Sequence, residues 1–185
     1  MIGVSLAVGL AFSEGATGYG QTGAATKPTQ QVQEFEDRVK QYVKMREQLE
    51  EKLPKLSKEA KPEQIEAHKN TFQEMVRSAR AGARQGTVFT PGIASHIRAI
   101  IKREFKGKDL KDLRNTVLEA ENKGVPLRVN YPYPVTKELV EMPPTLLLAL
   151  PQLPKQMRYR FVGRNMLLVD RENGLIIDYM VNALP

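Results

Sequence analysis

Two rhythms of hydrophobic and polar residues run along this chain. From Val32 the apolar positions recur at three- and four-residue steps: Val32, Phe35, Val39, Tyr42, Leu49, Leu53 and Leu56, with Arg46 interrupting the stripe. Side chains at that spacing share one helix face, so the pattern predicts a helix of about 25 residues, ended or kinked near Pro54. After a polar connection over residues 57–62, Ile65, His68, Phe72, Met75, Ala79 and Ala83 repeat the spacing. Two amphipathic helices with a short connector predict an antiparallel helical hairpin. Thr90-Pro91 reads as an N-cap followed by the first helical position, where proline lacks only an N–H that would be unpaired anyway. A third helix comes next, with Ile93, Ile97, Ile100, Ile101 and Phe105 on one face. A fourth is expected over about residues 109–122, with Leu110, Leu113, Val117 and Leu118 inward.

Beyond Gly124 the rhythm changes. Residues 125–135 hold three prolines and two tyrosines and read as extended rather than helical. This strap is expected to lie across the helices and deliver the chain to its C-terminal segment. Residues 145–150 predict one apolar turn or short helix. Three short apolar runs close the chain, at residues 157–162, 166–169 and 175–179. Gly163-Arg164-Asn165 and Arg171-Glu172-Asn173-Gly174 separate them. Asn-Gly between apolar runs is a hairpin signal, because both residues tolerate positive φ. The expected fold is therefore α+β: an N-terminal helical hairpin, two further helices and a C-terminal three-stranded antiparallel β-meander. The organisation reads as a leader and linker over residues 1–26, the helical hairpin over 27–86, and a small α+β domain over 87–185.

Composition adds charge to this picture. The chain of 185 residues carries a formal charge of +7 and no cysteine or tryptophan. Residues 76–114 contain ten Lys or Arg against three Asp or Glu, so the excess sits in one block. Such a block attracts phosphate, acidic polysaccharide, anionic lipid or an acidic protein. Arg77, Arg80 and Arg84 recur along one stripe of the second helix. Arg98, Lys102, Lys106 and Arg103 form a similar group on the third. These seven are the candidate anion-binding residues. A solvated helix face with no partner is the plainer account of the same charges.

Other chemistries find little support. Without cysteine there is no disulfide framework, thiolate metal site or cysteine nucleophile. The two histidines, His68 and His96, are too few for a zinc site without scattered carboxylates. Ser95 and His96 are adjacent and point about 100° apart on a helix, which is no nucleophile–base pair. The stretch from Gly15 to Gly20 has no preceding strand and no Lys-Ser/Thr ending, so it is not a phosphate loop. Asp170 and Asp178 flank the last predicted turn. They read as acids that fix register or meet Arg160 or Arg164, in preference to a catalytic pair. Tyr159 and Phe161, interleaved with Arg158 and Arg160, read as a core pair rather than a nucleic-acid stacking platform. No cofactor, metal or catalytic residue is expected.

Residues 2–12 form an apolar run too short to span a bilayer, followed by small residues and glycines. This is the hydrophobic region of a secretory signal. No Lys or Arg precedes Lys27, so the signal reads as truncated at its N-terminus. The expected location is periplasmic or secreted.

Two resemblances agree with export. The segment Tyr159-Arg160-Phe161-Val162-Gly163, Leu168-Val169-Asp170 and Gly174-Leu175-Ile176 resembles the C-terminal hairpin of the periplasmic nickel/cobalt-homeostasis family. That family's histidine-rich character is absent, so no metal-handling residue carries over. More widely, Gly86-Thr87-Val88-Phe89-Thr90-Pro91, Tyr131-Pro132, Met142-Pro143-Pro144 and Leu150-Pro151-Gln152-Leu153-Pro154 resemble an uncharacterised family of small exported bacterial proteins. That resemblance, over about residues 75–182, implies export and a common fold and assigns no activity. The first functional reading is thus a non-enzymatic exported interaction or structural module of the bacterial envelope, with another envelope protein as partner. The alternative is a binder of anionic polymer or membrane surface through residues 77–114. The third is an enzyme using carboxylates. No specific nucleic-acid partner is expected.

Overall fold

In a computed structural model, residues 26–104, 111–112, 115, 125–134 and 142–184 are described. Four helices, α1 (Thr26–Glu50), α2 (Pro62–Ala79), α3 (Pro91–Glu104) and α4 (Pro144–Ala149), precede three strands, β1 (Met157–Val162), β2 (Asn165–Asp170) and β3 (Ile176–Met180). The class is α+β, helices first and an antiparallel sheet of order β1-β2-β3 last. The leader-like residues 1–25 and most of the fourth predicted helix lie outside the described residues.

The stripes of α1 and α3 become core, whereas on α2 the buried face is Phe72 with Val76, and Met75 is only partly buried and Ala79 exposed. Phe35, Val39 and Tyr42 of α1, Phe72 and Val76 of α2, and Ile93, Ile97 and Ile101 of α3 are buried together with one face of the sheet. Ile65 and Leu56, counted on the apolar stripes, are half exposed, because each lies beyond the part of its segment that the sheet covers. α1 ends at Glu50, ahead of Pro54. Its last amides turn back to near carbonyls, Lys52 to Leu49 and Leu53 to Glu50 at 3.1 and 3.0 Å. At the start of α2 the Lys61 amide donates to Gln64 Oε1 at 2.9 Å, leaving fewer end groups unpaired.

The two hairpins differ in build. Val162 pairs with Asn165, so Gly163 and Arg164 alone make the first loop, and Asn165 belongs to the strand. Gly163 has φ 53°, as the first position of a type II′ loop needs. In the second loop only Gly174 takes positive φ, at 73°. The Gly174 amide bonds Asp170 O, and the Asp170 amide bonds Leu175 O, both at 3.0 Å. Four residues, 171–174, thus form the loop, and Asn173 serves it in another way: its Oδ1 accepts the Leu175 amide at 2.9 Å.

The strap does not lie across the helices. Its Asn130 amide donates to Ile176 O at 2.8 Å, the Ile176 amide to Tyr131 O at 2.9 Å, and the Tyr133 amide to Gly174 O at 3.0 Å. It therefore continues the sheet beyond β3, and Tyr133, Val125 and Leu127 cover the sheet face opposite the helices, over Val162, Leu167, Val169 and Ile176. An apolar second face has to be covered, and among the described residues the strap is the segment that covers it. The sheet is consequently buried on both sides, which is why β2 reads as a continuous apolar run rather than an alternating one.

A register shift between Leu168 and Val169 leaves Ile177 as the extra residue of β3, with Asp178 opposite Leu168. The bulge turns Asp178 to the helical face. There Oδ2 accepts the Val88 and Phe89 amides, both at 2.7 Å, and Oδ1 accepts the Gly86 and Tyr179 amides at 2.9 and 2.8 Å. One fully buried carboxylate thereby ties the α2–α3 connection to the sheet.

Candidate basic cleft

The C-terminal end of α2 and the turn after it face strap residues 127–131 across a depression of about 550 Å³. Three arginines line it: Arg77 and Arg84 from the α2 side, and Arg128 from the strap. Among the described residues Glu74 is the one acid in its wall, paired to Arg77 at 2.6 Å. Tyr131 forms a base for two of the guanidinium groups, Arg128 at 3.9 Å and Arg77 at 4.8 Å from its ring centroid. Such cation–π contacts hold a guanidinium in place while leaving its edge N–H groups for a ligand. Among the described residues Arg84 and Arg128 carry no ion pair with a carboxylate. The cleft can therefore offer directed donors and positive charge to an anion, and its described walls hold no nucleophile–base arrangement.

Of the seven sequence candidates, the six among the described residues do not all come together. Arg77 and Arg84 meet in the cleft. Arg80, between them in sequence, is half-buried and engaged within the fold: Nη1 donates to Asn130 Oδ1 at 2.6 Å and Nη2 to Ile177 O at 2.9 Å. Its guanidinium also lies 5.2 Å from the Tyr42 ring centroid. Burial lowers its pKa from the usual arginine value. Arg80 is a structural arginine, holding α2, strap and bulge together, with both Nη groups bonded inside the fold. The reason is geometric: steps of three and four residues keep the side chains near one stripe but spread them around its edges. Arg98 donates to the carbonyls of Asn182 and Val181 at 3.0 and 2.8 Å, at the far end of β3. Arg103 pairs with Glu104 at 2.9 Å, Lys102 is exposed, and Lys106 lies outside the described residues. The two basic groups stand apart where they are described: Arg77 and Arg84 line the cleft, and Arg98 lies at the C-terminal end of β3. Arg128 and Tyr131 were missed because the strap reads as a connector. Their one signal was a cation and an aromatic three residues apart across a turn.

The two flanking acids do not converge either. Asp170 finds neither Arg160 nor Arg164 but Arg46, the interruption in the α1 stripe. Arg46 Nε donates to Asp170 Oδ2 at 3.1 Å, Nη1 approaches Glu50 Oε2 at 3.2 Å, and Nη2 pairs with Glu172. Arg46 is only 2% exposed and Asp170 is fully buried. The Tyr42 hydroxyl donates to the same Asp170 oxygen at 2.6 Å. Burial of Arg46 acts to lower its pKa, and Asp170, Glu172 and Glu50 outweigh this and raise it. Burial, reinforced by the Asp170 carboxylate, raises the Tyr42 pKa well above the usual phenol value. Asp170 Oδ1 accepts the Glu172 and Asn173 amides at 3.0 and 3.2 Å, which shapes the last loop. His68, placed on an apolar face by its spacing, is partly exposed and sits 3.1 Å from Pro54 O through Nε2. Tyr159 and Phe161 are buried as a core pair.

Comparison of the chain with protein-family models, with curated proteins and with solved structures finds no significant match. What the cleft does is therefore argued from its own residues.

Proposed function

We propose that this protein is a non-enzymatic binding module that engages anionic groups of a polymer or membrane surface through the cleft of Arg77, Arg84 and Arg128. One observation carries the reading: two elements distant in sequence bring three guanidinium groups into one depression, with a single acid among its described walls. Clustering like charges opposes folding unless a counter-ion offsets the repulsion. A repeating anion offers several at once, and releases its own counter-ions on binding, so affinity depends steeply on salt.

Export belongs to the same proposal. It is supported by the apolar run of residues 2–12 and the small residues after it. With a positively charged segment restored ahead of Ile2, the chain should be released by osmotic shock from a bacterial host; retention in the cytosol would then remove the envelope from this reading.

The full chain should be retained on heparin and on vesicles rich in phosphatidylglycerol, and be eluted by moderate salt. The double substitution Arg84→Gln with Arg128→Gln should abolish retention, and each single one should lower the salt slope by about one. Arg98→Gln with Lys102→Gln removes the same charge elsewhere and should change retention little. Equal losses from both pairs would mean that net charge, not the cleft, does the binding.

A further inference from the structure

On the other side of the strap a second cavity, of about 440 Å³, opens beside the last loop. Its walls are of two kinds. Pro132, Tyr133 and Val169 give an apolar side, and Lys69, Arg158 and Arg171 give cationic groups. Two acids, Glu66 and Glu172, also border it, and Glu172 is already bound by Arg46.

Two residues that border this cavity each carry a buried donor without an acceptor among the described residues. Asn173 is fully buried. Its amide N–H, Oδ1 and carbonyl all have partners within the fold, yet among the described residues its Nδ2 has none. Arg158 Nε is likewise buried without an acceptor among them. Buried N–H groups are almost always paired, because an unpaired one has lost its water and gained nothing. A pair of such donors in residues that line one cavity, with cationic side chains beside them, marks a place where a side-chain adjustment admits an acceptor from outside the chain. The acceptor must be anionic to suit Lys69, Arg158 and Arg171. It must also carry an apolar body to suit the proline, tyrosine and valine side. The volume is that of a small-molecule pocket.

We propose that this cavity binds a carboxylate borne on a small apolar body, with Arg158 Nε and Asn173 Nδ2 as its hydrogen-bond donors. A free organic acid and the C-terminal residue of a peptide share that chemistry. The site is independent of the basic cleft, which has other walls and would take other ligands.

The test uses the full chain, isotopically labelled, and tracks the Arg158 Nε–H and Asn173 Nδ2 proton–nitrogen resonances. Probes are hexanoate, acetyl-Ala-Leu with a free carboxylate, the same peptide amidated, and inorganic phosphate. Saturable shifts of both resonances with hexanoate, with the free-acid peptide or with both support the site, and their relative affinities tell which source it prefers. Arg158→Gln and Arg158→Lys should each weaken that binding by about tenfold or more, since both remove the Nε donor. Asn173 is not substituted, because it also holds the loop. The idea is overturned by any of four results. These are no saturable shift at millimolar probe, an equal response to the amidated peptide, a response to phosphate alone, or unchanged affinity in both Arg158 variants. Arg84→Gln with Arg128→Gln should leave these titrations intact, so loss of heparin binding and loss of carboxylate binding are read separately.

Discussion

A buried arginine in an apolar helix stripe needs partners that the stripe itself does not display. Arg46 has three carboxylates and the Phe72 ring, whose centroid lies 5.0 Å from its guanidinium carbon. The strength of this arrangement is asymmetric. A buried pair adds little over a well-packed apolar substitute, but removing one member strands the other charge. Arg46→Met should therefore destabilise the protein by about 3–5 kcal/mol in chemical denaturation. Adding Asp170→Asn to it should recover part of that loss, because the stranded carboxylate is then neutral while its shape and loop contacts largely persist. A double-mutant cycle with no coupling would show that Arg46 acts through packing alone. Here the sequence was half legible: the interruption was visible at position 46, and its partners Asp170 and Glu172, more than a hundred residues away, were not. Asp170 and Asp178 were legible as structural acids, since they flank the predicted Asn173-Gly174 turn; in the structure Asp170 borders that loop and Asp178 lies within β3 at the bulge. Which amides and cations they hold depends on the loop and bulge geometry, and a sequence does not display that.

At the scale of elements, strand order and helix stripes were readable because burial imposes a period. Turn type was less so, because two adjacent permissive residues do not say which of them takes the left-handed conformation. Gly174 takes it, and Asn173 instead supplies a side-chain acceptor to the loop. Gly174 and Gly82 make a clean comparison: an added Cβ meets nothing within 4 Å at either, and only Gly174 has positive φ, +73°. Gly174→Ala should cost about 1–2 kcal/mol from backbone conformation alone. Gly82→Ala should be neutral or stabilise by up to about 1 kcal/mol, through the unfolded chain. Thermal melts of the two variants decide it, and similar melting temperatures would mean that the loop relaxes around residue 174. The strap shows the opposite failure of reading. Its proline-rich composition reads as a connector, whereas Asn130, Tyr131 and Tyr133 pair with the β3 edge and carry one wall of each cavity.

For the whole molecule, that edge pairing settles how a three-stranded sheet is kept solvent-free on both faces. Among the described residues, helices cover one face and the strap the other, and the strap also pairs with the start of the β3 edge, at Ile176, which would otherwise invite pairing with another chain. Tyr133, 5% exposed, anchors this arrangement over Val162, Leu167, Val169 and Ile176. Its hold and the edge hydrogen bonds should therefore be lost together. Tyr133→Ala should lower stability by about 3 kcal/mol, the low end for deleting a buried aromatic ring. Amide exchange should show where. The amides of Asn130, Tyr133 and Ile176 should lose protection. Those between β1 and β2 should keep it, because their ladder does not involve the strap. With the edge uncovered, the variant should also self-associate as its concentration rises, measured by sedimentation. Uniform loss of protection across all three strands would mean that strap and sheet open only as one unit. Both cavities would then be properties of the global fold, not of a locally attached segment. Selective loss would instead make the strap the element whose attachment controls both of them, so a ligand in either cavity should slow exchange at Ile176 by holding the strap down.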